Sequence, residues 1–305
     1  MNLMRRVIMA VADRPAVRRL MTGGVGRRVA LRFVAGEDLE DALKVVKSLN
    51  ERDMTASIDY LGENVTDAAK AAAATQAYLE AIQRVEAAGL RANQSGKLTQ
   101  MGLDIDEELA LGNSAVVAAR AAEGGSTLTL DMEDHRYTGR TVDTALRLAH
   151  RYPGHIGVAV QAYLHRTPND VERLNEAGVQ VRICKGAYRE SRRIAYQRRA
   201  EVDAAFAKIL VRLLESNPYP MIATHDTDLI RFALRQIDIL GRDRDTFEFQ
   251  FLLGVRRDLQ ERLVGEGYRV RIYVPFGSEW YPYFRRRLAE RPANLMFFAR
   301  QLLRG

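Results

Sequence analysis

Cysteine is almost absent from this chain. Cys184 is the single one among 305 residues, so no disulfide framework holds the fold. Its plainest reading is a small buried hydrophobe in a strand, in keeping with a reducing cytoplasm. The five histidines are scattered. With one cysteine they give no metal-ligand spacing, and no metal is expected. No apolar run approaches the roughly 20 residues of a membrane-spanning helix. The first stretch, MNLMRRVIMAVADRPAVRR, carries too many charges and too short an apolar run for a signal peptide. Nucleic-acid signatures of the RNP, zinc-finger and helix-turn-helix kinds are missing. The net charge of +7 and the pI near 9.6 are therefore read as attraction for an anionic substrate or lipid, with no nucleic acid.

What is present is a core-forming composition, 47% hydrophobic and 28% charged, enough to bury a large interior. Residues 1–22 read as one or two short helices, and Gly23-Gly-Val-Gly26 as a joint. A helix follows from Glu37 to about Asn50. Then a rhythm begins. Strands are expected at 54–60, 90–98, 126–130, 155–162, 178–184, 221–224, 246–251 and 269–274. Helices are expected at 65–88, 105–122, 140–151, 169–177, 200–216, 227–240 and 256–265. Eight strands, each followed by a helix, make the (βα)8 barrel of the α/β class. The division is an N-terminal helical segment at 1–25 and a barrel catalytic domain at 26–305. An open doubly wound sheet is the weaker alternative, because no glycine-rich turn follows the first strand.

The last strand leads into the most telling stretch. Val270, Ile272 and Val274 alternate with Arg271 and Tyr273. Pro275 and Gly277 should break the strand, and Pro282 suits the first turn of the next helix. On that helix Tyr283, Arg286, Arg287 and Glu290 share one face by their i, i+3, i+4, i+7 spacing. Two neighbouring guanidiniums suit a carboxylate or phosphate. A solvated face is the plain alternative.

In a barrel, catalytic groups collect at the C-terminal ends of strands. Glu63, Lys97, Asp131, Gln161, Arg182, Lys185, Thr224, His225, Asp226, Gln250 and Tyr273 fall there. Singly, each has a plain reading: Gln161 as a loop brace, His225-Asp226 as a helix cap. Together they predict a deep pocket of mixed charge with a cationic surplus.

These strand ends resemble the proline dehydrogenase family. The matching segments are Leu61-Gly-Glu63, Lys97-Leu-Thr-Gln-Met-Gly-Leu103, Leu130-Asp-Met-Glu133, Val160-Gln-Ala-Tyr163, Val181-Arg-Ile-Cys-Lys-Gly-Ala-Tyr188, Ala223-Thr-His-Asp226, Phe247-Glu-Phe-Gln-Phe-Leu-Leu-Gly254, Arg271-Ile-Tyr-Val-Pro-Phe-Gly277 and Tyr283 through Asn294. They run in family order over roughly residues 55–300. The resemblance implies a distorted barrel of the monofunctional, bacterial type. It implies FAD as cofactor across the strand ends and oxidation of L-proline to Δ1-pyrroline-5-carboxylate, with hydride passing from C5 to the flavin N5.

It also implies roles. Arg286, Arg287 and Lys97 would grip the proline carboxylate, with Glu290 pairing in that cluster. Tyr188, Leu252, Tyr273 and Tyr283 would wall the ring. Asp131 would sit near the substrate amine and Arg182 beside the flavin N5. Met132, Gln161, Lys185, Gly186, Ala187, Thr224 and His225 would contact FAD. Tyr273 should crowd C4 and favour proline over hydroxyproline. The implied partners are a quinone-type electron acceptor and a pyrroline-5-carboxylate dehydrogenase, in the cytoplasm or at the inner membrane face.

Some features depart from the family pattern or stay open. Asn93-Gln-Ser-Gly96 replaces the usual β-branched residues before Lys97, and Arg291-Pro292 an Asn-Gly pair. The basic stretch from Tyr188 to Arg199 reads as a solvated face or a lid. Leu295-Met-Phe-Phe298 reads first as core packing and otherwise as peripheral lipid contact. A more distant alternative is a barrel lyase using Lys185 as a Schiff-base lysine, its pKa depressed by neighbouring cations.

Overall fold

Outward-facing apolar residues alternate along the strands with inward-facing residues that are mostly polar, Met221 and Ala223 of the sixth strand being exceptions. In the computed structural model, which describes residues 30–284, the strands are β1 (Thr55–Tyr60), β2 (Ala92–Gly96), β3 (Leu128–Leu130), β4 (Ile156–Gln161), β5 (Gln180–Cys184), β6 (Pro220–Ala223), β7 (Glu248–Leu252) and β8 (Val270–Phe276). They form a closed barrel in chain order. Every pairing is parallel, including β1 with β8, where Thr55 faces Arg271 and Asp59 faces Pro275. The segment at 1–25 lies outside the described residues, as do Arg286, Arg287, Glu290, Arg291-Pro292 and Leu295–Phe298.

The helices are α1 (Leu39–Asn50), α2 (Ala68–Ala87), α3 (Glu107–Glu123), α4 (His135–Arg151), α5 (Thr167–Glu176), α6 (Arg199–Ser216), α7 (Thr227–Leu240) and α8 (Arg257–Gly265). Aspartates set several of the starts. The side chains of Asp38, Asp67, Asp106, Asp134 and Asp226 each accept from a backbone N–H of the first turn. Asp134 explains why α4 begins five residues before the expected Arg140.

The hydrophobic core lies between strands and helices. Ile58, Leu130, Val158, Ile183, Phe249 and Ile272 point out to meet helix residues such as Val46, Tyr78, Leu148 and Phe206. Each such burial contributes roughly 1.5–3 kcal/mol. The lumen is the opposite: Ser57, Asp59, Asn93, Ser95, Thr129, Arg182, Glu248 and Gln250 are all buried. This accounts for the polar β2. Asn93 accepts from the Ser57 hydroxyl at 2.6 Å and donates to Thr127 at 2.7 Å, while Ser95 donates to Asp131 at 2.9 Å. Its Gly96 leaves no room for a side chain, since a Cβ would stand 2.9 Å from both Met101 and the Tyr78 hydroxyl.

One expectation is corrected. Pro275 does not end β8, which runs on to Phe276. The β7 partner stops at Tyr273, so the missing N–H of Pro275 removes no ladder bond, and its carbonyl accepts from Ala35 N at 2.8 Å. That contact belongs to a crossing over the barrel mouth. Phe33 and Val34 pack with Leu61, Trp280, Tyr283 and Phe284. Gly254, at φ +74, admits the crossing because a Cβ there would lie 1.9 Å from the Arg32 carbonyl oxygen.

Candidate active site

A cavity of about 800 Å³ opens at the C-terminal ends of the strands. Every described residue to which the family resemblance assigns a role lines it: Lys97, Asp131, Met132, Gln161, Arg182, Lys185, Gly186, Ala187, Tyr188, Thr224, His225, Leu252, Tyr273 and Tyr283. Asp226 and Gln250 line it too, whereas Glu63 does not.

The floor is built from paired charges. Arg182 reaches up from β5 and donates through Nη1 to Asp131 at 2.5 Å and to Ser95 at 3.1 Å. The Tyr273 hydroxyl donates to the other Asp131 oxygen at 2.6 Å, and the Arg182 guanidinium lies 5.6 Å from the Tyr273 ring centre. Burial and then Asp131 push the Tyr273 phenol well above its ordinary range, so it stays a donor. Arg182 Nε is buried without a hydrogen-bond partner among the described residues. An orphaned donor in a cavity wall fits a ligand with acceptor atoms.

Lys97 follows β2 and holds Asp59, a residue the sequence reading missed. Its Nζ is 3.2 Å from each Asp59 oxygen and 4.0 Å from Asp131 Oδ2. Burial opposes the lysine charge, but Asp59 and Asp131 outweigh it and leave the pKa of Lys97 raised. Asp59 itself is raised to about 6, chiefly by burial, with Lys97 pulling the other way. The signal was available: Thr55, Ser57 and Asp59 form a polar period-2 row in a strand, and an acid inside a strand calls for a partner.

On the far side, Lys185 is bound between two carboxylates, Asp203 and Asp226, the latter at 2.8 Å. Burial would raise Asp226. Lys185, the Asp228 N–H and Arg199 outweigh it and hold the carboxyl at about 2. The expected cationic surplus rested in part on Arg286 and Arg287, which lie outside the described residues; the three expected cations that are described are paired. Lys97, Arg182 and Lys185 each have an acid partner, and Asp59 and Asp203 were the uncounted ones. The Schiff-base reading of Lys185 loses its basis as well, since its nearest charged neighbours are acids.

Loops around the cavity are braced through it. Gln161 donates to the Glu133 carbonyl at 2.8 Å and accepts from Ala187 N at 3.1 Å, tying the turn after β5 to the turn after β3. Gly186 sits at φ +119, and a Cβ there would come within 2.2 Å of the Tyr163 ring. The His225 Nε2 accepts from Leu252 N at 3.0 Å, so its proton is on Nδ1. The basic segment 188–199 is fastened down. His165 N donates to Ile194 O, Tyr196 N to Tyr163 O, and the Glu190 carboxylate takes both the His135 backbone N–H and its ring. Arg189, Arg192 and Arg193 are exposed, which favours the solvated-face reading over a lid.

Behind the floor, Glu133 accepts from Thr99 Oγ1 at 2.7 Å and Thr99 N at 3.2 Å. Burial raises it from 4.5 to about 7 in spite of these donors. Its folded pKa lies above its unfolded value. Its contribution to stability is thus fully present below pH 4.5 and lost as pH rises through 7. Thermal unfolding of the wild type should therefore fall between pH 5 and 8 by more than that of Glu133→Gln, which does not titrate. An equal fall in the two proteins would contradict this.

Comparison with known proteins adds identity of sequence to this geometry. The sequence profile of a family described as proline dehydrogenase matches residues 42–300. A proline dehydrogenase of Deinococcus radiodurans is 37% identical over 308 residues, covering 100% of this chain and 99% of its own. Proline dehydrogenase 1 of Bacillus subtilis strain 168 is 35% identical, covering 99% of this chain and 100% of its own. Among solved structures, proline utilization A from Bdellovibrio bacteriovorus, inactivated by N-propargylglycine, superposes with a TM-score of 0.83 at 24% identity. The match covers 94% of this chain but 36% of that much longer one, and at this identity it shows the shared barrel alone.

Proposed function

The chain belongs to the proline dehydrogenase family, and from that premise we propose that it oxidises L-proline to Δ1-pyrroline-5-carboxylate, with FAD as cofactor and a quinone-type acceptor taking the electrons onward. The observation that carries this reading is the floor of the cavity. A lysine, an arginine and an acid from three different strands meet there beside two tyrosines. Bound FAD supplies the two-electron acceptor for the hydride that leaves C5.

The described residues fit that cofactor: the orphaned Arg182 Nε is a donor in search of an acceptor, and the turn 185–187 and Thr224-His225 offer further polar contacts along one wall. The chain's own part is to bind, orient and set charge. Lys97 offers an ammonium to the proline carboxylate, joined in this reading by Arg286 and Arg287, with Glu290 beside them. A cationic grip of this kind also disfavours the substrate's ammonium form, and oxidation needs the nitrogen lone pair. Asp131, fixed by three donors, faces the amine side. Tyr188, Leu252, Tyr273 and Tyr283 exclude water from the ring.

Tyr273 is pinned by its bond to Asp131, so its bulk cannot swing out of the cavity. This favours the plain ring over hydroxyproline, the nearest rival substrate. A direct test is the visible spectrum of the purified protein under anaerobic L-proline. Flavin bands that bleach with proline, and less with hydroxyproline, are expected. Flavin bands that proline leaves unchanged would remove the substrate assignment, and a protein that binds no FAD would remove the cofactor.

A further inference from the structure

We propose that Asp59 is a positioning residue for Lys97: it fixes the place and the charge with which the lysine meets the carboxylate of a bound substrate. The proposal deepens the reading above and rests on it for the nature of the ligand.

The geometry is specific. Asp59 is fully buried in β1, in register with Ser95 of β2 and Pro275 of β8. It does not line the cavity, whereas Lys97 does. Both Asp59 oxygens lie 3.2 Å from the ammonium. A lysine is a point charge on a flexible four-carbon stem, and a two-oxygen hold from behind removes that freedom. The lysine side chain is only 9% exposed, so its charge needs a nearby anion. Asp131 stands 4.0 Å off and is already engaged by Arg182, Ser95 and Tyr273. Asp59 is thus the counter-ion. The charged and titratable groups facing it are Lys97 from β2, Asp131 from β3, Tyr273 from β8 and the buried phenol of Tyr78 from α2.

Without Asp59, burial should win and Lys97 should lose its proton within the working range of pH. The probe is cyclopentanecarboxylate, a ring acid of proline's shape with no amine to titrate. Its affinity is measured calorimetrically from pH 7 to 9.5 on the purified FAD-loaded protein, beside KM and kcat for L-proline. Wild-type affinity should be flat with pH. For Asp59→Asn it should start near the wild-type value and fall by about tenfold or more as pH rises, with KM following and kcat much less affected. Lys97→Gln should bind weakly at every pH. Adding Asp59→Asn to Lys97→Gln should change affinity by less than about twofold, because residues acting through one interaction do not add.

If Asp59→Asn does not fold, Asp59→Glu carries the test. It keeps the charge but displaces the ammonium, so binding should be weaker at all pH with no new slope. A flat, wild-type profile for Asp59→Asn, wild-type affinity in Asp59→Glu, or a further loss in the double variant overturns the proposal. The two readings fail separately. A wild type that ignores L-proline while the probe profiles come out as stated removes the substrate assignment and leaves Asp59 its role. Proline turnover with a flat Asp59→Asn profile does the reverse.

Discussion

Replacing Arg182 with leucine should give a protein with about 100-fold or lower turnover and roughly 3–5 kcal/mol less stability. The stability term comes from Asp131. Its carboxylate is buried against the guanidinium, and removing one partner leaves an uncompensated charge in the lumen. The turnover term has another origin. Arg182 supplies a fixed positive charge in the cavity wall, and removing one preorganised donor of this sort lowers kcat by about 10²–10³. The two terms separate in the pair Arg182→Met with Asp131→Asn, which buries no charge. Thermal unfolding should recover most of the loss while turnover stays low. Recovery of both would mean that Arg182 serves the fold alone.

Glu248→Ala should lose as much stability for the same physical reason and little of the chemistry. Glu248 is buried deeper in the barrel. It accepts from Arg271 Nε at 2.7 Å, Gln250 Nε2 at 2.6 Å and the Tyr219 hydroxyl at 3.2 Å. Removing it takes away the one carboxylate that pairs with Arg271 among the described residues and leaves that guanidinium its bond to the Ala56 carbonyl. A loss of about 3–5 kcal/mol is expected, read as a lowered midpoint in chemical denaturation. The folded fraction should keep kcat within a few-fold, since Glu248 does not line the cavity. A collapse of turnover at full stability would show that the lower lumen reaches the site.

These two residues also mark how far the sequence could be read. The barrel was legible because apolar residues recur at every second position, as in Ile58, Val158-x-Val160 and Phe249-x-Phe251, and because strand and helix patterns alternate along the chain. The site was legible where polar residues sit at strand ends. It was less so where the same period carried polar residues inside a strand. Ser57, Asp59, Ser95 and Glu248 occupy alternate positions like any lumen residue, but their partners are on other strands, 36 to 125 residues away for Ser57 and Ser95. Alternation says which face a residue takes and not whom it meets. That is why a lysine counted as a spare cation turned out to hold an acid. The continuation of β8 through Pro275 was hidden for a related reason, since whether a missing N–H matters depends on where the neighbouring strand stops.

The pairing of β1 with β8 joins residues 215 positions apart in the chain. A ribosome adding roughly 5–20 residues per second needs on the order of 10–40 s to deliver the second after the first. Throughout that interval β1 has an unpaired edge. Asp59 and Lys97 can meet as soon as β2 emerges, and Asp131 and Arg182 can join them as β3 and β5 follow. Tyr273 and Tyr283 come last. A nascent chain therefore carries the charged floor of its cavity before Tyr273 and Tyr283 are in place, and the cavity lining is complete only after its eighth strand is released.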